Sequence, residues 1–192
     1  MRKVQLITLA ACCLAPGLAL AHAGAGDSGG FLHGLAHPFG GIDHLLAMLA
    51  VGLWAAQIGG RALWVVPGTF LGVMVLGGML GLSTLPVPLI EEGILVSVLI
   101  LGVLVAGAFR LATGYSALVV GLFALFHGYA HGAEMPVTLG TGAYISGFVV
   151  ATAMLHGIGM GLGALMYEKN LINAVRFTGG AVALGGVYLA VA

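Results

Sequence analysis

The sequence predicts an all-α fold, in which a polytopic integral membrane bundle of six transmembrane helices follows a cleavable N-terminal signal peptide. Hydrophobic residues occupy 60% of the 192 positions and charged residues only 6%, whereas a soluble domain carries about 25% charged residues. Six apolar segments are also long enough to cross about 30 Å of hydrocarbon. The formal net charge is zero, so no basic patch is available to bind nucleic acid, and the lipid bilayer is the expected environment.

Residues 1–21 have the pattern of a signal peptide. Arg2 and Lys3 give a positive start, an apolar stretch follows, and Ala19-Leu20-Ala21 matches the small-residue cleavage pattern. We expect cleavage at the end of this stretch, and the mature chain then contains no cysteine. Two alternatives stay open, which are processing at Cys12 in a lipobox-like sequence and retention of the segment as a further span.

The mature chain is predicted to have two parts. Residues 22–41 form a periplasmic, flexible, His- and Gly-rich entrance segment, in which His22 and His33 either collect metal or are simply solvated. Residues 42–192 form the six-helix transmembrane domain. Its spans are predicted at 42–58, 62–82, 90–109, 112–133, 141–165 and 173–191.

The basic residues predict the orientation of the bundle. Arg61, Arg110, Lys169 and Arg176 all fall at one side of the predicted spans, and the loops of the other side contain no Lys or Arg. Positive residues favour the cytoplasmic side. We therefore expect a multi-pass protein of the inner (plasma) membrane, with the mature N-terminus and the C-terminus both on the periplasmic side.

Glycines at four-residue spacing predict close helix packing, because small residues let two helix backbones approach where no hydrophobic effect drives association. The pairs are Gly68/Gly72, Gly77/Gly81, Gly128/Gly132, Gly157/Gly161 and Gly159/Gly163.

Polar residues cluster at the outer end of the first predicted span, in the stretch HPFGGIDH. Pro38 breaks the chain there, and His37, Asp43 and His44 surround the start of the helix. Charged groups within a membrane span are costly and usually functional. Asp43 alone could be an N-terminal cap of this helix, but capping does not explain the two histidines.

The fourth predicted span ends in a second polar motif, FHGYAHGAE. His127 and His131 are four residues apart and Glu134 lies three further on, so all three share one helix face. Two imidazoles and a carboxylate at this spacing form half of a metal site. His156, in the fifth span, lies about 22 Å below the outer end of that span, and it could be either a ligand along the ion pathway or a structural hydrogen-bonding group.

Both motifs resemble those of one membrane-protein family. The stretch from His37 to His44 looks like the HPxxGxDH pattern of the HupE/UreJ family, and the stretch from Phe126 to Glu134 is similar to the second motif of that family. The signal peptide and the six spans fit as well, so the resemblance covers the whole chain. It implies uptake of nickel, with cobalt as an alternative, in the service of hydrogenase or urease maturation.

The sequence thus predicts a permease and no enzyme. Its substrate would be a divalent ion, Ni²⁺ with Co²⁺ and Zn²⁺ as alternatives, and no prosthetic cofactor is expected. Two protein partners are considered, either a second copy of the chain or a cytoplasmic metal acceptor. The predicted ligands are His37, Asp43, His44, His127, His131 and Glu134, followed by His156 and then by His22 and His33.

Two rival functions use the same ligands. A membrane-embedded zinc metallohydrolase would activate water on the metal, with Ser97, Ser116 or Ser146 as a polar helper, although the chain contains no HExxH or G-x-S-x-G motif. A receptor would bind the ion and pass it to a partner without transporting it.

Overall fold

The computed structural model of the protein describes residues 28–83, 85–135 and 140–192, and these are helical with short connections. The all-α prediction is therefore confirmed for this part of the chain. The predicted signal peptide and His22 lie outside the described residues. The helices are α1 (Ser28–Ala36), a 3-10 helix (His37–Phe39), α2 (Ile42–Ile58), α3 (Ala62–Gly81), α4 (Ile90–Ala106), α5 (Thr113–Ala133), α6 (Thr141–Glu168) and α7 (Ile172–Val191).

The membrane-spanning character lies in the longer helices. Four of them, α3, α5, α6 and α7, are long and apolar enough to cross a membrane. The segment Gly29–Phe39 and α2 form a pair bent by 81°, and counting this pair as one broken span gives five. The remaining helix, α4, has 17 residues, which is at the lower limit for a span. The described residues are thus those of a multi-pass membrane protein with four or five candidate spans, and the count of six stays a prediction.

The entrance segment differs from its prediction. We expected residues 22–41 to be flexible, but the described part is helical and packs against α6. The two backbones meet at two glycines, because a Cβ at Gly34 would overlap the Tyr144 carbonyl and one at Gly147 would overlap the Phe31 carbonyl. Their lack of side chains lets α1 lie flat on α6, so the segment is held against the bundle.

Helix α4 is shorter than its predicted span of 90–109 and ends at Ala106. The reason is a left-handed turn, since Ala108 has φ +54°. The Phe109 N–H then donates a hydrogen bond to the Leu104 carbonyl at 3.1 Å, which is the Schellman pattern that ends many helices.

Helix α2 lies at the centre of the bundle. Nine of its 17 residues are buried, and it packs against α3, α4, α6 and α7. A Cβ at Gly52 would overlap the His156 carbonyl of α6. The buried part of α2 begins at Ala47, and the polar residues Asp43 and His44 at its start are half-buried.

Some of the glycines that were predicted to lie at close helix contacts do so. Between α3 and α5, a Cβ at Gly77 would lie 2.5 Å from the Leu125 carbonyl oxygen, and one at Gly128 would overlap the Met74 carbonyl. The prediction was wrong for Gly68 and Gly72, which have no atom within 4 Å of an added Cβ. Both glycines are on the exposed face of α3. Four-residue spacing identifies a face of small residues, but it does not tell whether another helix covers that face.

The C-terminal end of α4 is held by side chains from two other helices. From α2, Trp54 Nε1 donates to the Phe109 carbonyl at 2.9 Å and Gln57 Nε2 donates to the Val105 carbonyl at 3.0 Å. From α7, Arg176 Nε donates to the Ala106 carbonyl at 2.8 Å. These bonds bring donors to carbonyls at the end of the helix and just beyond it. The positive charge of the Arg176 guanidinium also interacts favourably with the negative end of the helix dipole.

The contact between α3 and α5 leads to a first prediction. Gly77→Ala should lower the melting temperature of the detergent-solubilised protein by several degrees, because the added methyl meets backbone atoms that cannot move aside, and such overpacking costs about 1–3 kcal/mol. Gly72→Ala, on the open face of the same helix, should leave the melting temperature unchanged or raise it, since alanine is the better helix former. Equal melting temperatures for the two variants would contradict the packing of α3 on α5.

Candidate metal centre

The polar side chains of both motifs meet at one end of the bundle around an open cavity. The cavity has a volume of about 490 Å³. Its walls come from α1, the 3-10 helix, α2, α4 and α5, so residues far apart in the sequence face one space. The ionisable residues that line it are His33, His37, Asp43, His44, Glu91, His131 and Glu134.

The outer part of the site joins the two sequence motifs. His37, His131 and Glu134 each offer one ligand atom, and these three atoms lie within 4.8 Å of one another. His37 Nε2 is 3.3 Å from Glu134 Oε2, and the ring centroids of His37 and His131 are 4.7 Å apart. His131 is buried and Glu134 is exposed, so this group connects the interior of the bundle with the open cavity. We name it the outer set.

The inner part of the site consists of His44, which also lines the cavity, and His127, which lies one helical turn before His131 on α5. Their ring centroids are 4.8 Å apart, and the His44 ring is also 4.2 Å from that of His131. Four-residue spacing on α5 places His127 directly below His131. The imidazole rings thus form one continuous series from His37 through His131 and His44 to His127. We name His44 and His127 the inner set.

Several imidazole nitrogens in these sets are buried without a hydrogen-bond partner among the described residues. They include His44 Nε2, His127 Nδ1 and both ring nitrogens of His131. Buried polar atoms are nearly always paired in proteins. A divalent cation bound between the rings would use the lone pairs that the fold leaves free.

Asp43 makes its hydrogen bonds to His44 and does not occupy the N-terminal cap position of α2. The cap position is Gly41, which makes no side-chain hydrogen bond. Asp43 Oδ1 accepts hydrogen bonds from His44 Nδ1 and from the His44 backbone N–H, both at 2.8 Å. Asp43 therefore satisfies one backbone N–H in the first turn of α2, although the cap position itself is Gly41. With Nδ1 as the donor, neutral His44 keeps its lone pair on Nε2, as in the carboxylate–histidine pairs of known metal sites.

His156 lies apart from both sets. It is fully buried in α6, and neither of its ring nitrogens has a partner among the described residues. The ring of Phe70 lies next to it, with centroids 5.1 Å apart, and the same ring is 5.7 Å from His127. Phe70 therefore separates His156 from the inner set. His33 is exposed at the rim of the cavity.

Sequence reasoning missed two residues of this site. Glu91 lies in the first turn of α4 and lines the cavity. A carboxylate at the outer end of a predicted span was a usable signal for it. Ser97 was considered only as a helper of the rival hydrolase, yet its Oγ lies 2.9 Å from His127 Nε2. A single serine in an apolar helix gives no signal in the sequence.

Comparison with known proteins identifies the family. The family model described as HupE / UreJ protein matches residues 10–189. The chain belongs to the HupE/UreJ family. It is also similar to a protein named Protein HupE from Rhizobium leguminosarum bv. viciae, with 44% identity over 191 residues that cover 100% of both chains. The resemblance seen in the two motifs is thus confirmed over nearly the whole length. No solved structure matches the chain.

Neighbouring glutamates on α4 allow a matched test of the cavity. Glu91→Gln should weaken Ni²⁺ binding to the purified protein about threefold or more, because it removes a negative charge from the cavity wall, where charge interactions are less screened than in water. Glu92 lines an apolar groove between α4 and α5 instead, and Glu92→Gln should change the affinity by less than about twofold on the same argument. Equilibrium dialysis gives both values. Equal losses in the two variants would show that the cavity is not where the ion binds.

Proposed function

We propose that this protein is a permease that carries a divalent transition-metal ion, Ni²⁺ with Co²⁺ as the alternative, into the cytoplasm through the cavity at the outer end of the bundle. The observation that carries the proposal is the convergence of His37, His131 and Glu134 from distant parts of the chain, with ligand atoms within 4.8 Å of one another. Membership of the HupE/UreJ family supports it.

The ligand chemistry fits such a cargo. Imidazole and carboxylate groups suit Ni²⁺ and Co²⁺, and by ligand type also Zn²⁺. A transported ion must be bound strongly enough to lose water and weakly enough to leave. In our proposal the outer set captures the ion, with Glu134 offsetting its charge, and His131 passes it to the inner set, because its ring lies beside those of both His37 and His44. His156 is then the next ligand inward, beyond Phe70.

The orientation follows from the two ends of the bundle. Arg176 holds the end of α4 that lies opposite the cavity, and the positive-inside rule assigns this end to the cytoplasm. The cavity then opens to the periplasm. A span count of six, with α2 and α4 included, and an inner-membrane location belong to the same proposal, as does a cytoplasmic acceptor for the released ion.

Of the two rival functions, the hydrolase receives less support. The serines suggested as polar helpers of a hydrolase are already engaged, since the Ser97 Oγ donates its proton to the Ile94 carbonyl at 2.6 Å. Ser146 likewise donates to the Ala143 carbonyl. The receptor shares every ligand with the permease, so only a measurement of flux separates the two.

Reconstitution of the purified protein into lipid vesicles tests the proposal. With a Ni²⁺-sensitive dye inside the vesicles, we expect influx that saturates with external Ni²⁺ and that is lost in His131→Ala. Binding of Ni²⁺ to the reconstituted protein without influx would favour the receptor and overturn the permease. Hydrolytic turnover without influx would favour the enzyme.

The role of Asp43 gives a further prediction. Asparagine keeps an oxygen that can accept from His44, and it caps a helix about as well as aspartate. If Asp43 only orients His44 and α2, Asp43→Asn should transport nearly normally. We expect instead that Ni²⁺ influx falls at least about tenfold at equal protein levels, because the site loses a charge that offsets the ion where water is scarce. Normal influx would remove Asp43 from the charge balance of the site.

A further inference from the structure

Ser97 forms a contact between α4 and α5 that neither sequence motif contains. Its side chain is fully buried, and its Oγ lies 2.6 Å from the Ile94 carbonyl oxygen of its own helix and 2.9 Å from His127 Nε2. A serine and a histidine from different helices thus meet directly beneath the cavity.

Counting protons assigns the direction of both hydrogen bonds. A hydroxyl group has one hydrogen to donate, and a carbonyl oxygen can only accept. The Ser97 hydrogen therefore goes to Ile94, and the Ser97 oxygen accepts from His127 Nε2–H. Neutral imidazole carries one N–H, so the lone pair of His127 is on Nδ1. This nitrogen is buried and has no partner among the described residues.

We propose that Ser97 is a positioning residue that holds His127 as its Nε2–H tautomer, so that Nδ1 is the nitrogen offered to the ion. The assignment of the tautomer stands on the hydrogen bonds alone, and its link to the ion rests on the proposed function. Asp43 does the converse for His44, since it accepts from Nδ1–H and leaves the lone pair on Nε2. Within the inner set, His127 then offers Nδ1 to the ion and His44 offers Nε2.

The contact with His127 is particular to this serine. Ser116 is equally buried, but its Oγ contacts carbonyls at the start of its own helix, 3.3 Å from that of Ala112. Ser97 combines such a carbonyl bond with a second bond to a histidine. Groups that hold the far nitrogen of a ligating histidine fix its tautomer and ring orientation, and their loss typically lowers metal affinity about 10–100-fold.

Nuclear magnetic resonance of the full-length, metal-free protein tests the tautomer. With ¹⁵N-labelled histidine, the His127 signals are assigned by their disappearance in His127→Ala. We expect His127 to be neutral and protonated on Nε2. Protonation on Nδ1 would overturn the proposal, and this result does not depend on whether the protein transports any ion.

Ni²⁺ affinity of the same preparations tests the consequence. Ser97→Ala should bind Ni²⁺ about tenfold more weakly, Ser97→Thr should stay within about threefold of the parent because it keeps the hydroxyl, and Ser116→Ala should match the parent. Parental affinity in Ser97→Ala would overturn the proposal, and so would an equal loss in Ser97→Thr, since the hydroxyl would then not matter. If the parent protein binds no Ni²⁺, the proposed function fails, and the tautomer alone decides the role of Ser97.

Discussion

The burial of imidazole rings inside an apolar bundle is the constraint on which this structure depends. His127 is fully buried and His131 is 4% exposed, in surroundings where an unpaired polar group is expensive because lipid and apolar side chains offer no hydrogen bonds. The fold meets part of this cost with Ser97 and Asp43, which each occupy one ring nitrogen of the inner set. The remaining ring nitrogens have no hydrogen-bond partner among the described residues, and two of these histidines, His44 and His131, line the open cavity. The arrangement fixes the orientation of the His44 and His127 rings.

The positions of these rings follow from backbone contacts at glycines. Gly128 and Gly132 flank His131 along α5, and both press directly on the α3 backbone. A larger residue at either position would push α5 outward and carry both motif histidines with it. On the other side, Gly34 and Gly147 let α1 lie flat against α6, which brings the His37 ring to 4.7 Å from that of His131. Packing and ligand geometry are therefore specified by the same short sequences.

The sequence predicted the helical class and most of the site because both rest on local signals. Helical spacing alone put His127, His131 and Glu134 on one face, and a polar cluster at the mouth of an apolar helix identified His37, Asp43 and His44. The features that the sequence did not predict depend on which helices pack against each other. The approach of His44 to His127 and His131 arises only when α2 and α5 are adjacent. The contact of Ser97 with His127 requires α4 beside α5, and Glu91 reaches the cavity wall only through the position of α4. The helical form of residues 28–39 was missed for a similar reason, because it is stabilised by α6 and not by its own glycine-rich composition.

The three hydrogen bonds that hold the end of α4 have a mechanical consequence. Trp54, Gln57 and Arg176 tie α2, α4 and α7 together at the end of the bundle opposite the cavity, and Gln57 makes its bond while buried. Breaking the buried Gln57 bond without a replacement costs about 1–3 kcal/mol, so the bonds oppose separation of α2, α4 and α7 at this end. A motion that opens this end is therefore easier for the pair of α3 and α5 than for α6, whose backbone packs directly on that of α2 at Gly52. Phe70 is on α3 and its ring lies beside those of both His127 and His156, so such a motion would shift the Phe70 ring relative to His156 on α6.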